Sequence, residues 1–345
     1  MSALAEATAV VYQADKQPEA PMPAVVVVSY NTRDYLRNCL ASVLADGAED
    51  VVVVDNASTD GTREMVHTEF PQVRLVANVV NLGFGPAANQ GIAAVRAEYV
   101  VLLNADTLIH RGALRALASH LHRFPNSAVA GPRLLYGDGT FQRSHFPFPT
   151  PGHSFLELVN IRGLLRQMLP ASRRGGSLRR SARSVPWVLG AVLGIRRSAF
   201  QELGGFDESF FIYHEDIDLC YRLRRAGWDI HYAPAAVVTH LGQASTRQHR
   251  RNMLLLGTAG RFQFYRKHYS AGQSALLCLA IVVGLGAKIA RDAARYGLAA
   301  HEQQRSLIAE DIGTWLRALR SVPEWAGSAT TTAEAVRCAT WDRRG

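Results

Sequence analysis

Three features of the sequence predict an α/β fold with a mostly parallel central sheet and helices on both faces. Continuous β-branched runs, Ala24–Ser29 (AVVVVS) and Val51–Val54, read as strands buried on both faces. Strand and helix patterns alternate as far as Gly131, the rhythm of βαβ units. Each strand run ends in polar residues, and ligands gather beyond the carboxyl ends of such strands.

After the first strand, Tyr35, Leu36, Cys39, Leu40, Val43 and Leu44 recur at helical spacing. Asp55 closes the second strand, Thr62–Glu69 forms a short helix and Val73–Ala77 the third strand. Pro86 opens a helix through Ala97, at an early position where its missing N–H costs little. Tyr99–Leu103 is the fourth strand, Gly112–Arg123 a helix and Ala128–Gly131 the fifth strand. Leu134–Arg143 reads as a hairpin turning at Gly137-Asp138-Gly139. No acidic residue occurs from Leu158 to Gln201, and Arg162–Arg183 holds seven arginines, which predicts a mobile basic loop over 158–186. Trp187–Arg196 returns to strand, Glu215–Ala226 is helical, and Ile230–Ala233 and Val237–His240 are short strands. The expected organisation is a flexible leader over 1–22, an α/β domain over 23–244, a helical extension over 245–325 and a frayed tail over 326–345.

With 345 residues, 48% of them hydrophobic and 19% charged, the chain can bury a large core. Its net charge of +9 favours anionic partners. No nucleic-acid-binding motif accompanies that charge, so nucleic acid is not the expected partner. Four scattered cysteines without a CxxC pair argue against a disulfide framework or a zinc site and fit a reducing compartment. Glu6, Asp15, Lys16 and Glu19 interrupt the N-terminal residues, which do not read as a signal peptide. No apolar run reaches the ~18 residues of a membrane span. The nearest, Ala275–Ala287, is apolar on all sides and flanked by Arg266, Lys267, Lys288 and Arg291. It reads equally as a core helix or as one lying in a membrane interface.

Five clusters carry candidate chemistry. Asp55, followed by Asn56, Ser58, Asp60 and Gly61, can accept the imide N–H of a uracil or thymine framed by Ser29, Tyr30 and Asn31. The competing reading is a turn whose Asp and Asn satisfy loop amides. Asn81-Leu82-Gly83-Phe84-Gly85 with Asn89 precedes and opens a helix, so backbone amides can approach an anion, although glycine can serve loop geometry alone. Its spacing matches neither a Walker loop nor a dinucleotide fingerprint. In Asn104-Ala105-Asp106, the aspartate emerges past an apolar strand where it can hold a divalent ion against a diphosphate, or simply cap a turn. Glu215, Asp216 and Asp218 open a helix whose positive end suits anions, and the aromatic residues before them suggest a half-buried cleft with a tuned general base. His240 ends a strand as a metal ligand or a structural histidine.

In order and spacing, VVVVSYN, VVVVDNASTDGT, NLGFGPAANQG, LLNADT and GGFDESFFIYHEDIDLCYRLRRAGW resemble the inverting glycosyltransferases of family 2, with a GT-A fold, and their rhamnosyltransferase-like branch in particular. The resemblance runs from Ala24 to about Gly242. It implies that Asp55 binds the donor base, helped by Ser29, Tyr30 and Asn31. It places Asn81, Gly83 and Asn89 along the nucleotide and donor sugar. Asp106 matches the last residue of a D-x-D metal motif, and Asn104 stands where the full motif has aspartate. Glu215 and Asp216 match the acidic pair that supplies the base, with Asp216 as the base itself. His240 matches a late metal ligand, and Trp187, Gly190 and Ala191 a segment lining the acceptor side. The implied cofactor is Mg²⁺ or Mn²⁺. The implied donor is dTDP-rhamnose or a UDP-sugar, and the acceptor a glycan or polyprenyl-linked saccharide. The apolar run and the arginine-rich loop add an expected contact with an anionic membrane surface, on the cytoplasmic side. A nucleotidyltransferase would show a Gly-rich loop with Arg and Lys after the first strand, where this chain has Ser29-Tyr30-Asn31-Thr32-Arg33. A non-catalytic nucleotide-sugar-binding module would not need the acidic set.

Overall fold

A computed structural model describes residues 20–150, 181–242, 250–299 and 301–327. Most of the leader, the 158–186 loop and the tail therefore lie outside the described residues. The N-terminal half follows the expected alternation: β1 (Ala24–Ser29), α1 (Arg33–Ala45), β2 (Val51–Asp55), α2 (Thr62–Glu69), β3 (Arg74–Ala77), α3 (Phe84–Ala93), β4 (Tyr99–Asn104), β5 (Thr107–Ile109), α4 (Ala113–Arg123) and β6 (Ser127–Leu135). Short strands β7 (Phe141–Gln142), β8 (His145–Phe146), β9 (Arg183–Ser184) and β10 (Trp187–Val188) follow, then β11 (Val192–Arg196) and α5 (Arg197–Glu202). The chain ends with α6 (Glu215–Arg225), β12 (Asp229–His240), α7 (Arg250–His268), α8 (Ala271–Leu298) and α9 (Glu302–Gly327).

The main sheet runs β3-β2-β1-β4-β11-β6-β12-β5. Its first four strands are parallel, with Val25↔Val51 and Val27↔Leu103 in register. Every residue of β1 and β2 is buried, as valines packed from both faces require. β11 then runs antiparallel between β4 and β6. Its amino end therefore meets the carboxyl end of β4, and the Asn104 N–H donates to Ala191 O at 3.0 Å. β5, too short to leave a period in the sequence, pairs antiparallel with the end of β12 and brings His240 level with Thr107. Ile230–Ala233 and Val237–His240, expected as two strands, are one strand interrupted by a register shift.

The helix expected from Pro86 begins at Phe84 and ends at Ala93. Gly83 at φ 92° leads into it, and the Phe84 N–H donates to Phe211 O at 2.8 Å. No side chain but hydrogen fits at Gly83, because a Cβ there would run into the Phe211 carbonyl.

The helical extension is not a detached appendage. Leu256, Phe262, Phe264 and Tyr265 of α7 and Leu277, Ile281 and Leu285 of α8 share one apolar core with Phe210, Phe211 and Ile217 around the start of α6. Charge locks the same junction. The fully buried carboxylate of Asp218 is within 2.7 Å of Arg222, 2.8 Å of Lys267 and 2.6 Å of His268. The His268 hydrogen bond and these cations hold its pKa down to about 2, against the opposing effect of burial. That contribution to stability is present above the ordinary carboxylate pKa and is lost as pH falls through about 2. Asp218→Asn removes the buried anion that Arg222, Lys267 and His268 share and is expected to destabilise the fold by about 1.5 to 3 kcal/mol in urea unfolding.

Candidate active site

The carboxyl ends of β1 and β4, the start of β11 and the loop before α6 enclose one cavity of about 280 Å³. Tyr30, Asn81, Gly83, Asn104, Asp106, Gly190, Ala191, Glu215, Asp216 and His240 all line it. The clusters singled out in the sequence thus converge, although chain positions 30 and 240 lie at opposite ends of the domain.

The acidic pair sits at the first turn of α6. Tyr213 and His214 precede it at φ 68° and 72°, left-handed values that are uncommon for residues with side chains. Asp216 is buried, and its two oxygens accept the Gly190 N–H and the Ile217 N–H, each at 2.8 Å. Glu215 is also buried, and its Oε2 has no hydrogen-bond partner among the described residues. Burial pushes both carboxyls up, and the neighbouring charge of Asp216 pushes Glu215 further. The close approach of Gly190 leaves no room for a side chain, since a Cβ there would lie 3.0 Å from Asp216 Cβ and 3.1 Å from Oδ2.

Opposite chemistry gathers at the end of β12. His240 Nε2 lies 3.4 Å from Asp106 Oδ1, and His240 Nδ1 lies 3.1 Å from Gln142 Oε1. An imidazole nitrogen and a carboxylate oxygen thus stand side by side at the cavity edge. Both are residue types that could hold a divalent ion, and Gln142 reaches the other imidazole nitrogen. Among the described residues no group of three or more His, Cys, Asp or Glu forms a complete cage, so two protein ligands are the most this corner supplies from those residue types.

Five predicted site residues do not line the cavity. Asp55 is fully buried at the end of β2; Arg63 Nε donates to its Oδ2 at 2.7 Å and the Ser58 N–H at 3.2 Å. Ser29 is buried, its Oγ 2.9 Å from Thr32 Oγ1. Asn31 cross-links the first two strand-end loops, donating its N–H to Ser58 Oγ and accepting the Thr59 N–H. Asn89, expected along the donor, instead clamps the GGFDE loop: its amide exchanges hydrogen bonds with the Phe206 N–H at 2.9 Å and Phe206 O at 3.0 Å. Trp187 donates Nε1–H to Pro147 O at 2.8 Å and stacks on Phe146 at 4.9 Å, while Leu189, two residues on, lines the cavity. Asn56, which the sequence pattern places beside Asp55 without a role of its own, lines the cavity. Its amide donates to Asn81 Oδ1 at 2.8 Å and Gly83 O at 2.9 Å and accepts the Leu82 N–H at 3.0 Å, so it shapes the whole glycine loop.

A strand-end cavity that joins a nucleotide-binding sheet to an acidic pair and a His–Asp corner is the site of a sugar-transferring enzyme of the GT-A class. Residues 20–255 match the family described as Glycosyltransferase like family 2, and the chain belongs to that family. An N-acetylglucosaminyl-diphospho-decaprenol L-rhamnosyltransferase of Mycobacterium tuberculosis is 34% identical over 235 residues, 64% of this chain and 76% of that protein. The rhamnosyltransferase WbbL of Escherichia coli is 24% identical over 235 residues, covering 66% of this chain and 86% of that one. The low-salt glycan biosynthesis hexosyltransferase Agl10 of Haloferax volcanii is 27% identical over 211 residues, 60% of this chain and 63% of that protein. Among solved structures, the mannosyltransferase PcManGT of Pyrobaculum calidifontis, in complex with GDP-Man and Mn²⁺, shares the fold with a TM-score of 0.50 at 19% identity, covering 90% of this chain and 88% of that one.

Gly190→Ala is expected to push the Asp216 carboxylate aside. A shift of this kind lowers turnover about 100-fold, while nucleoside diphosphate affinity changes less than about twofold in calorimetry.

Proposed function

We propose that the protein is a metal-dependent inverting glycosyltransferase. It moves a sugar from a nucleoside diphosphate-sugar to a hydroxyl of a glycan or polyprenyl-linked saccharide in cell-envelope polysaccharide synthesis. The observation that carries this reading is one cavity in which the Asp106–His240 corner and the Glu215–Asp216 pair are tied together by two adjacent residues: Gly190 bonds Asp216, and Ala191 bonds Asn104. The mycobacterial and E. coli relatives are named rhamnosyltransferases, which favours rhamnose as the transferred sugar, and dTDP-rhamnose is the donor we propose for it. A UDP-linked hexose is the second reading, in line with the hexosyltransferase of the halophile.

Asp106 and His240 are the residues that would hold Mg²⁺ or Mn²⁺, which when bound neutralises charge on the leaving diphosphate. Asn81, Gly83 and the start of α3 offer polar groups to the donor. Asp216 takes the proton of the acceptor hydroxyl as that oxygen attacks the anomeric carbon. The bond from that carbon to the diphosphate oxygen breaks, and attack from the opposite face inverts the configuration. The Gly190 and Ile217 N–H groups orient the Asp216 oxygens, and burial makes the carboxylate a stronger base than an exposed one. Glu215, pushed up further, keeps its proton and leaves a single negative charge on the pair.

The acceptor reaches this cavity from a membrane surface. α8 is the one helix among the described residues long and apolar enough to cross a bilayer by length and composition, with mean hydropathy 1.8 over its most apolar stretch. It lies on the protein with two faces: Leu277, Ile281 and Leu285 are buried, whereas Leu276 is 57% and Leu279 60% exposed, beside Val282 and Val283. With the net positive charge, that outer stripe suits the inner face of an anionic membrane, as a peripheral cytoplasmic enzyme.

Calorimetry with dTDP, UDP and GDP, with and without Mn²⁺, tests the donor site. One pyrimidine diphosphate should bind in a metal-dependent way, weakened about 10- to 100-fold by Asp106→Ala; no binding of any nucleotide would sink the donor assignment. Asp216→Asn should lower turnover by about 10² to 10⁴ while leaving that binding intact. The wild-type rate should rise with pH through a limb displaced above the ordinary carboxylate range, since the base must be deprotonated. In flotation with anionic vesicles at physiological salt, the wild type should rise with the lipid and the Leu279→Glu/Val283→Glu double variant should stay behind.

A further inference from the structure

We infer that helix α7 of the C-terminal extension is a positioning element for the acidic pair, and that Gly260 is the residue on which this positioning turns. The inference rests on Asp216 as the base of the proposed transfer and goes beyond that reading, because the family match ends at residue 255, inside α7. Gly260 itself therefore lies outside the matched segment, while the turn it touches lies inside it.

Tyr213 and His214 connect the cavity wall to Glu215. Left-handed conformations at two consecutive residues with side chains are unfavourable by about 1 to 3 kcal/mol each and persist only where the surroundings impose them. The surroundings here are α7. A Cβ at Gly260 would lie 2.8 Å from Tyr213 O, 3.1 Å from His214 Nδ1 and 3.6 Å from His214 Cβ. The first of these contacts is with backbone, which cannot swing away as a side-chain tip would. The bare helix surface at Gly260 is thus the seat of the Tyr213–His214 turn. On either side, Gln263 Nε2 donates to Ser209 Oγ at 2.5 Å, and Lys267 pairs with Asp207 at 2.5 Å as well as with Asp218. One face of α7 thus meets the loop at Asp207, Ser209 and the Tyr213–His214 turn, in addition to the α3 bonds at Phe206 and Phe211. His214 Nδ1 is buried without a hydrogen-bond partner among the described residues. Packing against α7, rather than a hydrogen bond from that ring nitrogen, fixes the turn.

The test compares the full chain carrying Gly260→Ala with wild type and with Gly313→Ala, a helical glycine of α9 whose Cβ would meet nothing within 4 Å. Three quantities are read: amide hydrogen exchange over residues 207–217, calorimetric affinity for dTDP with Mn²⁺, and release of dTDP from dTDP-rhamnose with decaprenyl-diphospho-N-acetylglucosamine as acceptor. Gly260→Ala should raise exchange in 207–217 and lower turnover about 100-fold, with dTDP affinity within about twofold of wild type. Gly313→Ala should match wild type in all three. Unchanged exchange and turnover in Gly260→Ala overturns the inference. So does a uniform loss of thermal stability, nucleotide affinity and exchange protection across the chain, which marks a merely structural role. Should Gly260→Ala not fold, Gln263→Leu removes the bond to Ser209 without filling the turn. It should move exchange in 207–217 and turnover in the same direction by a smaller factor, and no change in either overturns the inference. If the wild type does not turn over this substrate pair, the functional reading fails, while the exchange measurement still decides whether α7 holds the turn.

Discussion

Glu215 and Asp216 are adjacent carboxyls, both buried, at the first turn of one helix, and much of the surrounding structure answers that constraint. Burial opposes charge on each, and charge on one opposes charge on the other. The fold compensates the three acids of this turn unequally. Asp218 receives Arg222, Lys267 and His268 and stays ionised. Asp216 receives two backbone N–H groups and is only partly compensated. Glu215 Oε2 receives nothing among the described residues. Within four consecutive residues the compensation thus falls from a paired anion to a carboxyl with an unbonded oxygen, the unequal setting that the proposed base at Asp216 would use. A sequence optimised only for stability would not leave such a gradient, so the conflict itself marks function.

Compensation comes from distant parts of the chain. The Gly190 N–H reaches Asp216 because β11 runs against β4, so that its first residues stand at the same edge as the ends of the parallel strands. In an all-parallel sheet that segment would begin at the opposite edge. The mixed half of the sheet is thus what places the start of β11, the Asp106–His240 corner and the acidic pair around one space. β5 and the end of β12 do the same for Asp106 and His240.

The sequence revealed the parallel half of the sheet, because buried parallel strands are continuous apolar runs that need no partner to be recognised. It also revealed the cavity-lining residues that project from strand ends or helix starts: Asn104, Asp106, Glu215, Asp216 and His240. What it hid is relational. Asn56 resembles any turn asparagine until Asn81, Leu82 and Gly83 fold onto it. Asn89 sits in the glycine-rich string, yet its partners are Phe206 and Glu208, more than a hundred residues on. Asp55 reads as open to a base, but the Arg63 guanidinium, eight residues away across α2, covers it. Local pattern cannot show which way a polar side chain turns when several partners compete for it.

The apolar run at Ala275–Ala287 shows the same limit from another side. With apolar residues all round, its composition defines no face, and core and interface readings stand level. Tertiary packing divides it. Leu277, Ile281 and Leu285 recur at four-residue intervals and close over the phenylalanines of α7, while Leu276, Leu279 and Val283 take the outer side. The core reading and the surface reading are both correct, each for half the helix. A helix that only filled the core would have polar residues on its outer face, because nothing in the folding of this domain calls for leucine there. That outer stripe is the surface the proposed membrane contact would use. α7 and the inner face of α8 share one apolar core with Phe210, Phe211 and Ile217, so the proposed membrane surface and the turn before the proposed base belong to one packed unit.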